Sequence, residues 1–259
     1  MSQPSYHEYV RDEHFAAEYL AYQERWSTDI RESDRVLLSL VSEAAEQVRA
    51  LGRRPSVIDI GCSTGNLLRH LGSALTDVDL AGAELSTDAL VACRSDPTLE
   101  AMAFHQMDVV NLPADARYDV AIVNAVLYLL SDDDLASAFS GLSRLVQPGG
   151  ALVVFDYFHD FPHDIAVIER SRSHPDGLPL HLRPMERTEP LLRDAGFDAV
   201  RFLPFQIPID LPPGARYGNN DSGFEDLNSY TVRAEDGRRL LFRGALFQPW
   251  CHLVARKAS

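Results

Sequence analysis

An α/β fold on a mostly parallel sheet is predicted by three observations. The 259 residues are 46% hydrophobic and 24% charged, a globular balance with enough apolar material for a sizeable core. Short buried-type runs alternate with amphipathic stretches between residues 56 and 157, the pattern of strands joined by right-handed helical crossovers. A Gln147-Pro148-Gly149-Gly150 turn returns a helix to a strand.

In order, strands are expected at Val57–Gly61, Val78–Glu84, a weaker Ala101–Asp108, Tyr118–Asn124 and Ala151–Tyr157. Helices fall between them at Gly65–Ser73, Thr87–Arg94 and Asp132–Val146. The last follows Ser131 and begins with Asp132, Asp133 and Asp134, which suit a helix N-terminus. Ahead of this core, Phe15, Tyr19, Tyr22, Trp26 and Ile30 make one apolar stripe at helical spacing. Beyond it come a helix at Thr188–Phe197, a strand at Ala199–Phe205, a hairpin of Leu227–Arg233 and Arg238–Leu246 around Asp236-Gly237, and a last strand at Phe247–Ala255. The chain therefore reads as one domain over 1–259: a helical cap at 1–54, a core at 55–157 and insertions at 158–187 and 206–245.

Composition narrows the partners. Net charge is −14, and Ser56–Asp156 alone holds 14 acidic against 4 basic residues. Such a field repels phosphate backbones, so nucleic acid is excluded, and it suits a cationic ligand. The longest nearly apolar run, Val120–Leu130, has 11 residues and is too short to span a bilayer. The N-terminus lacks a secretory pattern, and Cys62, Cys93 and Cys251 form no CxxC pair, which argues against a disulfide framework or structural zinc and points to the cytoplasm.

Chemistry concentrates where strands end. Val57 to Leu68 is a strand running into the glycine turn Gly61-Cys62-Ser63-Thr64-Gly65 and then a helix, which presents backbone N–H groups to a ligand. Ser63 stands where a dinucleotide fingerprint needs its second glycine, and Asp59 would repel a diphosphate while attracting an ammonium or sulfonium. Glu84, 23 residues after Gly61, can accept from both hydroxyls of a ribose, with Leu85 beside it. Asp108 can accept from an adenine amino group while the Val109 N–H meets a ring nitrogen. Asn124 and Ala125 would line the reactive end of the ligand.

In Asp59 to Gly65, Glu84, Asp108-Val109, Tyr118 to Asn124 and Leu145 to Gly150, the sequence resembles the class I S-adenosylmethionine-dependent methyltransferases. The resemblance implies a seven-stranded sheet of order 3-2-1-4-5-7-6 with strand 7 antiparallel. It also implies S-adenosylmethionine as cofactor, in-line transfer of its methyl group and S-adenosylhomocysteine as product. The insertion at 206–245 departs from the family, as does the lack of an Asn-Pro-Pro-Tyr-like motif after strand 4; the latter disfavours amide and nucleobase N-methylation.

A base is required only if the acceptor arrives protonated. Candidates are His159 and His163, in the run from Asp156 to Asp164, then His174 and His181, with Tyr22 or Tyr128 as the alternative if neither His159 nor His163 serves. His159 and His163 share a spacing that could hold a metal, but Pro162 interrupts it, so no metal is expected. Arg183 and Arg187 are either solvated or aimed at a substrate carboxylate or phosphate. The leading expectation is methyl transfer to oxygen or nitrogen of a small molecule in biosynthesis. A peptide or protein side-chain methyltransferase, a non-methylating S-adenosylmethionine-binding protein and a homodimeric assembly stay open.

Overall fold

A computed structural model describes residues 23, 26–170, 177–207, 229–233, 239–243 and 248–258. Two compact units divide the chain: 1–205 with 249–259, and 206–248. In the larger unit, helix α1 (Glu32–Ala50) precedes β1 (Ser56–Ile60), α2 (Asn66–Ala74), β2 (Asp79–Glu84), α3 (Thr87–Ser95), β3 (Ala103–Gln106) and β4 (Tyr118–Asn124). Then follow α4 (Asp132–Leu145), β5 (Val146–His159), β6 (Ile165–Glu169), β7 (Leu178–Pro184), α5 (Met185–Asp194) and β8 (Ala199–Pro204). The smaller unit contains the hairpin β9 (Ser229–Arg233) and β10 (Arg239–Arg243), with Tyr230 opposite Phe242; β11 (Trp250–Arg256) returns to the larger unit.

The main sheet runs β3-β2-β1-β4-β5-β11-β8. Neighbours from β3 to β5 are parallel, and β11 is antiparallel to both β5 and β8. This is the order 3-2-1-4-5-7-6 expected of the main strands. The sheet also carries β6 and β7 off that path, within the insertion expected at 158–187.

Strand alternation sorts the core into two layers. Ile58, Ile60, Ala121, Val123, Leu152 and Val154 face Leu135, Phe139 and Leu142 of α4 and Leu192 of α5. Val57, Val120, Ile122 and Val153 face Leu37 and Val41 of α1 and Leu67, Leu68 and Leu71 of α2. The apolar spacing of α1 makes this stripe, whereas Phe15, Tyr19 and Tyr22 of the predicted N-terminal stripe lie outside the described residues.

Local caps set the helix starts. The Ser131 hydroxyl accepts from Asp134 N at 3.2 Å, with three aspartates in the first turn of α4. The Ser86 hydroxyl accepts from Ala89 N at 3.4 Å to start α3. The expected Gln147–Gly150 turn is absorbed as an irregularity at the start of β5: pairing with β4 steps from Tyr118↔Val146 to Val120↔Ala151.

The segment after β5 forms an arm. β6 and β7 pair antiparallel, and β7 adds to the end of β5 through Phe158↔Arg183. Leu178, Leu180 and Leu182 pack with Tyr157, Tyr128 and Trp250. Arg183 is buried, donating to the Leu127 carbonyl at 3.0 Å and to that of Leu130, and pairing with Asp132 at 3.4 Å. It therefore fastens the arm to the turn after β4 and is not available for a substrate anion. Arg187 pairs with Asp164 across the base of the arm.

Candidate functional site

The carboxyl ends of β1 to β5 share one edge of the sheet, where open α/β sheets bind ligands. After β1 the chain turns sharply: the Ala83 carbonyl accepts from Gly61 N at 2.7 Å and Cys62 N at 3.0 Å, and Gly65 N donates to the Cys62 carbonyl at 2.9 Å. Gly61 and Gly65 have φ of 78° and 76°, in the left-handed region that glycine adopts without steric cost. Space forbids a side chain as well. A Cβ on Gly61 would lie 2.6 Å from Val126 Cγ2, and one on Gly65 2.6 Å from Leu99 Cδ1. Ser63 (φ 50°) is also left-handed without being glycine, as is Ala125 (φ 58°) at the end of β4, and such backbone strain clusters at functional sites.

Glu84 binds this turn to β2. One carboxylate oxygen accepts from Ser63 N at 2.9 Å; the other accepts from Leu85 N at 2.7 Å and Ser86 N at 2.9 Å. A carboxylate has about four acceptor positions, so capacity for a ribose hydroxyl remains on the oxygen facing Ser63. Beyond β3, Asp108 accepts from Val110 N at 3.1 Å and so shapes its own turn, with Val109 buried beside it. An open cavity of about 1030 Å³ at this end is lined by Leu85, Arg94, Gln106, Met107, Asp108 and Asn111.

Asp59 is 2% exposed, and among the described residues its Oδ1 has no hydrogen-bond partner. Burial, then the charges of Asp34 and Glu84, push its carboxyl up to about 8. Asp34 enters from α1: its Oδ1 accepts from Asn124 Nδ2 at 3.1 Å, and burial raises its carboxyl against the opposing pull of Arg31, the Asn124 hydrogen bond and His70. Ser63 Oγ, His70 Nε2 and Trp26 Nε1 are likewise buried without partners. Trp26 lies under the Arg31 guanidinium at 5.1 Å. Buried polar atoms ordinarily pair, so these atoms are open to a polar ligand.

Next to this charged end stands an aromatic wall. Phe155 stacks on Trp250 at 4.7 Å and 11°, Tyr157 tilts onto Trp250 at 4.1 Å, and Tyr128 meets Tyr157 at 5.3 Å. Asn124 pairs with Phe155 across β4 and β5, so the two regions adjoin.

The sequence-derived candidates separate accordingly. Asp59, Gly61, Cys62, Ser63, Gly65, Glu84 and Leu85 are drawn together around one turn, and Asp108-Val109 and Asn124-Ala125 follow along the same edge. Tyr128 belongs to the aromatic wall. His159 is 3% exposed with its Nε2 3.1 Å from the Leu182 carbonyl oxygen, beneath the arm. His163 is exposed between β5 and β6, and Tyr22 lies outside the described residues. Asp156, in the run read as a source of bases, is buried and accepts from Val126, Leu127 and Tyr157 N at 3.1, 2.7 and 2.8 Å, so it holds the turn after β4. Asp34, Phe155 and Trp250 were missed. A carboxylate on an amphipathic helix reads as solvent-facing, and aromatic residues in apolar strands read as core. Among the described residues no cluster of three or more His, Cys, Asp or Glu could hold a metal, and no helix is long and apolar enough to cross a membrane.

Comparison with known proteins agrees with this geometry. Residues 57–150 match the family model described as a methyltransferase domain. Over 130 residues, 48% of this chain and 52% of the relative, the chain is 31% identical to dTDP-3-amino-3,4,6-trideoxy-alpha-D-glucopyranose N,N-dimethyltransferase of Streptomyces venezuelae. Over 102 residues, 39% of this chain and 38% of the relative, it is 36% identical to malonyl-[acyl-carrier protein] O-methyltransferase of Pseudescherichia vulneris. The chain thus spans about half or less of the length of these curated relatives. Among solved structures, the 1,6-didemethyltoxoflavin-N1-methyltransferase of Burkholderia thailandensis superposes with a TM-score of 0.57 at 18% identity, covering 100% of this chain and 93% of that one. DesVI of Streptomyces venezuelae gives 0.54 at 17% identity, covering 94% and 97%. The structural likenesses show the fold, and over residues 57–150 the chain is similar to a methyltransferase domain.

Proposed function

We propose that the chain transfers the methyl group of S-adenosylmethionine to an oxygen or nitrogen of a small-molecule acceptor. The observation that carries the reading is Asp59: a buried carboxyl with an unpartnered oxygen, flanked by Asp34 and Glu84, at the edge where the family's cofactor brings an ammonium and a sulfonium. When bound, the cofactor supplies an activated methyl group for in-line displacement. Asp59 accepts from its ammonium, and Glu84 from the ribose hydroxyls through the oxygen that faces Ser63. Asp108 accepts from the adenine amino group, and the Val109 N–H donates to the ring. Leu85 flanks the adenosine, Gly61, Cys62, Ser63 and Gly65 give it close backbone approach, and Asn124 and Ala125 border the reacting methyl.

The acceptor lies against Tyr128, Tyr157 and Trp250 under the arm. Transfer depends on alignment more than on covalent chemistry, since positioning reacting groups is worth ~7–11 kcal/mol in favourable cases. Where the acceptor arrives protonated, Tyr128 is the base candidate best supported by its position on the aromatic wall, with His159, His163 and Tyr22 as the others. The small-molecule reading is supported by the relatives, one of which is named for an amino sugar.

Incubation with methyl-labelled S-adenosylmethionine and a panel of amino sugars, hydroxylated aromatics and carboxylic acids tests the proposal. Label in a small molecule is expected. Label in polypeptide instead supports side-chain methylation, and unaltered bound cofactor with every acceptor supports a non-methylating role.

A further inference from the structure

Cys62 and Cys93 meet beneath the cofactor turn. Cys62 lies within it and Cys93 on α3; their sulfurs converge on one acceptor, the Ser63 carbonyl oxygen, at 3.9 and 3.1 Å. Each is buried and free, and Cys251 stands apart on β11. Cys93 is the more acidic of the pair: the neighbouring Cys62 and the Arg69 guanidinium lower it, whereas the neighbouring Cys93 and burial push Cys62 up. The residue between these sulfurs and the nucleoside end of the site is Ser63, whose N–H is held by Glu84 at 2.9 Å.

We propose that Cys62 and Cys93 are a redox modification site, oxidised by a peroxide to a disulfide that reshapes the cofactor turn and lowers its affinity for S-adenosyl ligands. The Cys93 thiolate attacks one peroxide oxygen, forming the sulfenic acid and releasing hydroxide. The Cys62 sulfur then attacks the sulfenic sulfur, an S–S bond forms, and water departs with the Cys62 proton, so two thiols and one hydrogen peroxide give one disulfide and two waters. The sulfurs must close to ~2 Å. Cys62 is the mobile partner, since it sits in a left-handed turn and Cys93 in a helix. Drawing it toward α3 breaks both contacts to the Ser63 carbonyl and tilts the Ser63 N–H away from Glu84. A bound adenosyl ligand holds the turn and slows the reaction.

The consequence for affinity rests on the cofactor assignment; the cross-link does not. The reduced full chain is treated with hydrogen peroxide, digested without reductant and mapped by mass spectrometry, while S-adenosylhomocysteine binding is followed by calorimetry before oxidation, after it and after dithiothreitol. Expected are a Cys62–Cys93 peptide with Cys251 left as thiol, an affinity lower by about tenfold, within the ordinary range for two linked sites, full recovery on reduction, and slower cross-linking in saturating S-adenosylhomocysteine. Cys93→Ala should bind like the reduced wild type and be indifferent to peroxide. A map lacking the Cys62–Cys93 link after oxidant has consumed the thiols overturns the site. The link without a change in affinity overturns the switch. If reduced protein binds no S-adenosylhomocysteine while the link forms, the cofactor reading fails and the modification site stands.

Discussion

The two halves of the site are built by different means. The end formed by β1, β2 and α1 is charged and strained: left-handed residues at 61, 63 and 65, three carboxylates, and buried polar atoms without partners. The end formed by β5, β11 and the arm is apolar, with rings in contact at 4.1 to 6.0 Å between centroids and leucines packed with them. On the proposed function, the first geometry recognises one charged ligand through fixed backbone groups, and the second offers area and shape that accommodate different acceptors by changes of side chain. Damage to one half should therefore alter cofactor affinity, and damage to the other should alter acceptor turnover.

Asp156 joins the halves, and its loss should have the largest effect. Asp156→Ala leaves the Val126, Leu127 and Tyr157 N–H groups unpaired in a buried setting. At ~1–3 kcal/mol each, a loss of roughly 3 kcal/mol or more in urea unfolding is expected. A change below ~1 kcal/mol would show that the turn after β4 does not depend on this carboxylate. Glu84→Ala acts within the charged half. It removes charge-assisted bonds to the ribose worth ~1.5–3 kcal/mol each, so calorimetry should show affinity for S-adenosylhomocysteine reduced about a hundredfold or more. A loss below ~threefold would remove Glu84 from the ribose site.

The charged half was the legible one, because each parallel strand ends in the sequence where its apolar run meets a polar residue: Asp59-Ile60-Gly61, Glu84, Asp108, Asn124. Chain-distant pairings gave no such signal. Asp34 and Asn124 are 90 residues apart, and nothing local marks a helical carboxylate as buried. The arm was hidden for another reason. Pro162, Pro175 and Pro179 suggested a loop, yet Pro179 sits opposite Ile168 within β7, in a two-stranded pairing at the margin of the sheet where a missing N–H is tolerated. Arg183 looked solvated because arginine usually is; its carbonyl partners appear only once the arm has folded back.

Charge also gives the two halves different responses to pH. Asp59 is raised from 3.8 to about 8, so the unliganded native state keeps a proton that the unfolded chain has released. Its contribution to stability accordingly falls as pH rises across that interval. Binding of the cofactor's ammonium favours the ionised form, so affinity for S-adenosylhomocysteine should climb as pH rises toward ~8. Asp59→Asn should abolish the rising limb. If the variant keeps that limb, some other group titrates.

The smallest effects are expected at the rim of the apolar half. Tyr128→Phe keeps the ring contacts and removes the hydroxyl; a fall in kcat of ~10²-fold at neutral pH with unchanged cofactor affinity would identify the base, and an unchanged kcat would limit Tyr128 to shape. His163→Ala, on an exposed turn, should leave kcat within about twofold. A larger loss would mean that the turn between β5 and β6 closes onto the acceptor.

Arg183 makes the arm separable in an engineering sense. The guanidinium plugs into the carbonyls of Leu127 and Leu130 and reaches Asp132, none of which belongs to the cofactor turn. A foreign loop spliced in between His159 and Arg183, with both of those residues retained, would keep the same socket. On the proposed function, the segment would then serve as an exchangeable cassette through which new acceptor preferences are sampled by grafting while the cofactor turn stays as it is.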